Sequence, residues 1–163
     1  MVDLAMSSWE IEYWGHEDVP LAYFTGAASS WGGGERFPVE GSLDALPRVV
    51  ERLGWNPDRI EGLARASAVI SVGRRVGASV RIASSIVAPD HVIFFVVDER
   101  LFLVDVGSTN GTVLNGGEVP RSAGSGPLRP DIEPMRPYEV RDGDVITLAG
   151  GFHLKAHAVR AGA

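Results

Sequence analysis

The strongest constraint on the fold is a pair of apolar segments joined by a short polar turn. The first segment runs from Val92 to Val97 and the second from Leu101 to Val106, with Asp98-Glu99-Arg100 between them. Two apolar runs of strand length around so short a turn are typical of a β-hairpin. The sequence therefore predicts antiparallel β-structure in the second half of the chain.

Other short segments with strand character surround this hairpin. Trp9 to Trp14 alternates with period two, and Phe152 to Val159 places its large apolar residues on one face. Further strands are predicted at 21–25, 68–72, 79–82, 138–140 and 145–148, and Gly-rich loops at 26–34 and 116–137. Many short strands separated by turns predict a mainly β protein built as a β-sandwich.

The N-terminal part of the chain has a different pattern. One face of a helix is predicted by the spacing of Leu43, Leu46, Val50 and Leu53, with Gly54 placed to end it. Asn56-Pro57 resembles a helix cap followed by proline at the first helical position, which predicts a second short helix to about Ala64.

These patterns predict an N-terminal α/β extension over residues 1–65, with two short helices, and a β-sandwich domain over 66–163. Two arrangements of the extension fit the sequence. The strand at Trp9–Trp14 is either the first strand of the sandwich, with the helices as an insertion, or part of a separate lobe.

Composition excludes several classes of function. The chain of 163 residues has a formal net charge of −6, which disfavours nucleic-acid binding, and it has no cysteine for disulfides or thiolate metal sites. It shows no signal peptide and no run of the about 20 apolar residues that a membrane helix needs. We therefore expect a cytoplasmic protein that uses no membrane and no nucleic acid.

The motifs of common enzymes are also missing. The chain has no Gly-x-Ser-x-Gly elbow, no His-Glu-x-x-His and no glycine-rich loop ending in Lys-Ser or Lys-Thr. The sequence predicts no catalytic residue, no metal site and no cofactor, and thus a protein that is not an enzyme.

A compact polar stretch follows the hairpin, and polar loops at strand ends often bind a ligand. Ser108-Thr109-Asn110-Gly111 stands here, followed by a short strand and Asn115-Gly116. Upstream, Gly73-Arg74 ends a predicted strand and His91 lies 17 residues after the arginine. Gly143-Asp144 precedes the last strands.

These pieces, in this order and spacing, resemble the forkhead-associated (FHA) domain, a phosphothreonine-reading module. The resemblance covers about residues 66–159. The family pattern has a serine three positions before the histidine, whereas this chain has Ala88, followed by Pro89. The resemblance implies that this serine bonds the phosphate, and one hydrogen bond to a charged group is worth roughly 1.5–3 kcal/mol.

The resemblance implies a phosphopeptide site made by Arg74, Ser108, Thr109 and Asn110. Arg74 offers a planar fork of donors to a phosphate. The Thr109 hydroxyl is expected to donate near the phosphopeptide, and the Asn110 amide to bond the peptide backbone. Structural roles are implied for Gly73, His91, Gly111 and Asn115, and Arg75 and Ser85 are candidate auxiliary residues that could compensate for the missing serine.

Two functions follow from this comparison. The first is an interaction module for signalling, which docks protein partners phosphorylated on threonine by a Ser/Thr kinase. The alternative is a degenerate FHA domain that acts as a phosphate-independent scaffold or assembly subunit, which Ala88, Pro89 and the N-terminal extension favour. The sequence carries no indication of an oligomeric state.

Overall fold

The computed structural model describes residues 7–16, 35–43, 51, 56–115 and 135–160. In this part of the chain the regular elements are ten strands and two 3-10 helices. The strands are β1 Ser7–His16, β2 Glu35–Pro38, β3 Ala68–Gly73, β4 Val80–Arg81, β5 Val92–Val97, β6 Arg100–Asp105, β7 Thr112–Asn115, β8 Tyr138–Val140, β9 Val145–Leu148 and β10 Phe152–Arg160.

The strands form two five-stranded sheets, and the prediction of a mainly β sandwich is confirmed. One sheet has the order β2-β1-β10-β9-β7 and the other has the order β4-β3-β5-β6-β8. The predicted hairpin is the antiparallel pair β5 and β6, in which Val92 lies opposite Asp105 and Val97 opposite Arg100. The pairing of β3 with β4 is parallel.

The main hydrophobic core lies between the two sheets. Strand β10 shows how period two creates it: Phe152, Leu154 and Ala156 are buried, whereas the residues between them are partly exposed. The side chains that meet them from both sheets include Ile11, Val72, Phe94, Leu103 and Ile146.

A second hydrophobic cluster covers the outer face of the sheet that contains β5. Its members from the sheet are Val69, Ile93, Phe95, Val97, Val104 and Val106, and Ile60 and Leu63 pack on them from the segment before β3. All six residues of β5 are therefore buried. This explains why β5 is an unbroken apolar run, since a strand covered on both faces needs no polar side.

The expected second helix, from Asn56 to Ala64, is wrong. The chain forms two separate 3-10 helices there, Pro57–Arg59 and Leu63–Arg65. Gly62 lies between them with φ 88°, a left-handed conformation that interrupts helical hydrogen bonding. Most of the first expected helix, at 44–50 and 52–55, lies outside the described residues, as do the strand predicted at 21–25, the loop at 26–34 and residues 116–134 of the other predicted loop.

The N-terminal strand belongs to the sandwich. Strand β1 pairs with β10 from Ser7 opposite Arg160 to His16 opposite Phe152, and β2 pairs with its other edge. The Trp9 ring donates a hydrogen bond from Nε1 to the carbonyl of Glu99, 3.1 Å away, which connects β1 to the β5–β6 turn of the other sheet. Within the described residues, no helix is long and apolar enough to span a membrane.

Candidate functional site

Three segments meet at one end of the sandwich. They are the turn after β3, the loop between β4 and β5 and the loop between β6 and β7. The Arg74 amide donates to the carbonyl of Ala88 at 2.9 Å, and the Val106 amide donates to the carbonyl of His91 at 3.1 Å. All of the predicted site residues except Asn115 lie in these three segments or next to them.

Gly73 lets the first two segments approach each other closely. A Cβ atom at this position would lie 2.2 Å from the carbonyl oxygen of Pro89 and 2.9 Å from that of Ala88. Such distances are far inside van der Waals contact, so no residue with a side chain fits without movement. The glycine thereby allows Arg74 and Arg75 to bond the backbone of the neighbouring loop.

Asp105 organises the polar loop, and the sequence reasoning did not assign it to the site. Its side chain is buried and accepts four hydrogen bonds. The amides of Gly107 and Ser108 lie 2.8 and 2.7 Å from Oδ1, and the hydroxyls of Ser108 and Thr112 lie 2.5 and 2.7 Å from Oδ2. A carboxylate that ends a strand just before a Gly-Ser-Thr sequence is the signal for this arrangement, since it can cap the following turn.

Ser108 is engaged inside the loop. Its hydroxyl donates to Asp105 and accepts a hydrogen bond from the amide of Gly111 at 3.1 Å. Both functions of the hydroxyl are thus used by the protein, which favours a structural role for Ser108 over contact with a peptide. The next two residues, Thr109 and Asn110, are exposed.

His91 connects the two loops from a fully buried position. Its Nδ1 accepts from the amide of Ala88 at 3.1 Å, so Nε2 carries the proton and donates to the carbonyl of Gly111 at 2.9 Å. Burial lowers the pKa of His91 below its usual range, although the bond to Gly111 and the charge of Asp105 act in the opposite direction. A neutral imidazole suits this position, because a charged one has no acceptor for the Ala88 amide.

Asn110 makes a second connection between the same loops. Its Nδ2 donates to the carbonyl of Ile86 at 2.8 Å, even though the residue is exposed. Only part of the amide is used by this bond, so Oδ1 stays available as an acceptor. Gly111 has φ 86°, as a tight turn after Asn110 requires.

The arginines differ in how far their donors are used. Arg74 is exposed and donates from Nε to the carbonyl of Val87 at 3.0 Å. Arg75 forms a bidentate ion pair with the buried Asp90, at 3.2 and 2.8 Å, which raises the pKa of Arg75. The Nε and Nη2 groups of Arg75 are therefore already bonded within the protein.

A third arginine at this place was missed by the sequence reasoning. Arg81 is the exposed residue of the two-residue strand β4 and donates from Nε to the carbonyl of Arg74 at 3.1 Å. An open depression of about 490 Å³ is lined by Arg74, Arg75, Val76, Arg81, Ala83, Ser84, Ser85 and Pro89. The signal in the sequence was the alternation around Val80, which turns Arg81 away from the core.

Two predicted site residues, Asn115 and Ser85, are still to be placed in the fold. Asn115 ends β7 opposite Val145. Ser85 is exposed and lines the same depression as Arg74. In the described ranges, no three His, Asp or Glu side chains are grouped in a way that could hold a metal ion.

Comparison with known proteins agrees with this geometry. The family model of the FHA domain matches residues 70–149. Similar solved structures include the FHA domain of an Arabidopsis thaliana hypothetical protein, with 16% identity, a TM-score of 0.59 and coverage of 100% of this chain and 95% of that one. The yeast splicing factor Pml1 has 18% identity, a TM-score of 0.57 and coverage of 98% and 85%.

The N-terminal FHA domain of S. cerevisiae Rad53p, solved with a phosphothreonine peptide, has 16% identity, a TM-score of 0.54 and coverage of 92% of both chains. No curated protein matches the chain. At these identities the solved structures establish the fold, and the family model establishes its type. The chain therefore contains a forkhead-associated domain, which the family model places at residues 70–149.

Proposed function

We propose that this domain is a non-enzymatic module that binds protein segments carrying phosphothreonine. The observation that carries the proposal is the exposed guanidinium of Arg74 at the loop end of the sandwich. Its Nε is held by the carbonyl of Val87, while no acceptor among the described residues bonds its terminal amino groups. Those donors are thus oriented and available for an anion outside the protein.

The chemistry of the ligand fits this arrangement. A phosphothreonine carries about −1.5 to −2 charges and three acceptor oxygens, which the terminal amino groups of Arg74 can bond. The exposed Thr109 hydroxyl and the Oδ1 of Asn110 offer one donor and one acceptor to the peptide chain. Rad53p provides a relative of the same fold whose FHA domain was solved with such a peptide. The partner is then a protein phosphorylated by a Ser/Thr kinase.

A second function is favoured by two observations at the same loops. Ala88 and Pro89 offer no side-chain donor where the family has its serine, and one of the two N–H donors of the Asn110 Nδ2 is already used by the carbonyl of Ile86. A site weakened in this way fits a phosphate-independent scaffold or assembly subunit. Yeast Pml1, of the same fold, was described as integrated into the RES complex.

Arg74→Ala separates the two functions. The measurement is binding of a degenerate phosphothreonine peptide library, with its unphosphorylated counterpart, to wild type and variant. We expect wild type to bind only the phosphorylated library and Arg74→Ala to lose at least about tenfold in affinity, since hydrogen bonds to a charged group disappear.

Arg65→Ala is the matched control for this experiment. Arg65 lies 3.8 Å from Asp98, at the β5–β6 turn, which is the end of the hairpin remote from His91. The Arg65→Ala variant removes the same charge about 20 Å from the site, so its affinity for the phosphorylated library should equal that of wild type. Equal binding of both libraries, or binding that survives Arg74→Ala, would support the scaffold instead.

A further inference from the structure

Arg81 and Arg74 form a pair of guanidinium groups at the open depression. Each is held through Nε by a backbone carbonyl, Arg74 by Val87 at 3.0 Å and Arg81 by Arg74 itself at 3.1 Å. Both therefore use the single Nε donor for positioning, and no acceptor among the described residues bonds their terminal amino groups. Two arginines held in the same way beside one depression form a geometry that suits one anion.

Among the described residues, no carboxylate is paired with either of these two arginines. Asp90 is bonded to Arg75, and Glu51 also acts on Arg75 by raising its pKa. Arg74 and Arg81 thus bring two positive charges to one depression on a chain whose net charge is −6, and an anion in that depression is attracted by both.

We propose that Arg81 is a second phosphate-binding residue, which supplies a donor to the phosphate in place of the hydroxyl that Ala88 does not have. This inference rests on the proposed function and names the residues that hold the phosphate. Two arginine charges match a phosphate dianion, whereas a single carboxylate offers half of that charge. Ser85, exposed at the same depression, adds a hydroxyl donor. The site accordingly prefers phosphothreonine to a glutamate in its place.

The first test measures affinity for the phosphothreonine library in Arg81→Gln, with Arg65→Gln as the control that changes net charge equally. Arg81→Gln removes hydrogen bonds from a charged group to the phosphate, so we expect its affinity for the library to be about 10- to 150-fold lower than that of wild type. We expect the affinity of Arg65→Gln to be unchanged. Wild-type affinity in Arg81→Gln, with affinity still lowered in Arg74→Ala, would overturn the role of Arg81 and leave the proposed function intact.

The second test uses inorganic phosphate, so that it is independent of any peptide sequence. Phosphate is titrated into the wild-type protein while the Nε–H resonances of its arginines are followed by NMR, with sodium chloride at equal ionic strength as control. We expect the resonances of Arg74 and Arg81 to shift together and that of Arg65 to stay in place.

The two tests separate the inference from the function on which it rests. Shifts of Arg74 and Arg81 without any library binding would keep the anion site and reject phosphopeptide recognition. Phosphate that shifts Arg74 alone, or neither arginine, would reject the role of Arg81 whatever the library shows.

Discussion

Single residues at the site act mainly on the backbone of the neighbouring loop. Gly73 allows close approach of the 88–89 backbone, and Asp105 gathers four donors of the next loop around one buried carboxylate. Neither residue lines the depression beside Arg74 and Arg81, yet both determine the positions of exposed side chains such as Arg74 and Thr109. The binding chemistry of this end of the sandwich therefore depends on residues that a ligand does not reach.

Gly73→Ala tests this dependence at one atom. The added methyl group would lie 2.2 Å from the carbonyl oxygen of Pro89, so the 88–89 segment has to move. We expect the free energy of unfolding, measured by urea titration, to fall by about 1–3 kcal/mol, as for other overpacked sites. Library binding should fall as well, because the bond from the Arg74 amide to Ala88 is broken.

Gly77→Ala provides the control within the same turn. A Cβ at Gly77 meets nothing within 4 Å, and its φ lies outside the range that disfavours side chains. This variant should be as stable as wild type or gain up to about 1 kcal/mol. Equal stability of Gly73→Ala and Gly77→Ala would mean that the close approach to Pro89 is not required.

At the scale of elements, two of the three segments of the site are joined by His91 and Asn110. His91 bridges the amide of Ala88 and the carbonyl of Gly111, and Asn110 bonds Ile86 across the same gap. The loop between β4 and β5 is therefore not independent of the loop between β6 and β7. A change that charges or removes the imidazole should loosen both loops at once.

The protonation of His91 gives this coupling a pH dependence. Burial holds the pKa of His91 below the value of about 6.5 expected in the unfolded chain. Below about pH 6.5 the unfolded chain therefore binds a proton that the folded protein does not. The contribution of the neutral His91 imidazole to stability is therefore complete above about pH 6.5. It is lost as the pH falls towards the pKa of the folded state, and the free energy of unfolding then changes by at most about 1.4 kcal/mol per pH unit.

NMR of the imidazole Cε1–H between pH 5 and 8 measures this titration, with an unstructured histidine-containing peptide in the same buffer as control. Urea unfolding at pH 7.5 and 5.5 measures its consequence. We expect the His91 resonance to titrate at lower pH than the peptide histidine and the protein to be less stable at pH 5.5. Titration at or above the pH of the peptide histidine would show that the imidazole is not held neutral.

At the scale of the whole molecule, the sequence predicted the described strands far better than the helical turns between residues 56 and 65. The bounds of β5 follow from an apolar run, and those of β8 and β9 from short alternating segments between turns. The helix expected after Asn56 failed because tertiary packing of Ile60 and Leu63 on β5 and the left-handed Gly62 outweigh local helical spacing.

At the site, too, the sequence predicted what depends on motif spacing along the chain and missed what depends on tertiary packing. The spacing of Arg74, His91 and Ser108–Gly111 identified the loops that meet at one end of the sandwich. The ion pair of Arg75 with Asp90 and the alignment of Arg81 with Arg74 depend on how β3, β4 and their loops pack, which sequence spacing does not encode. The predicted division of the chain at residue 65 stays a prediction.

Leu63→Ala tests that division. Leu63 is buried in the cluster on the outer face of the β5 sheet, so a boundary after residue 65 would separate it from the strands it covers. Removing a buried leucine side chain predicts a loss of about 2–5 kcal/mol in the free energy of unfolding, measured by urea titration. Val76→Ala, at a side chain 81% exposed, should change it by less than about 0.5 kcal/mol. Wild-type stability in Leu63→Ala would instead make residues 56–66 an appendage that the two sheets do not need.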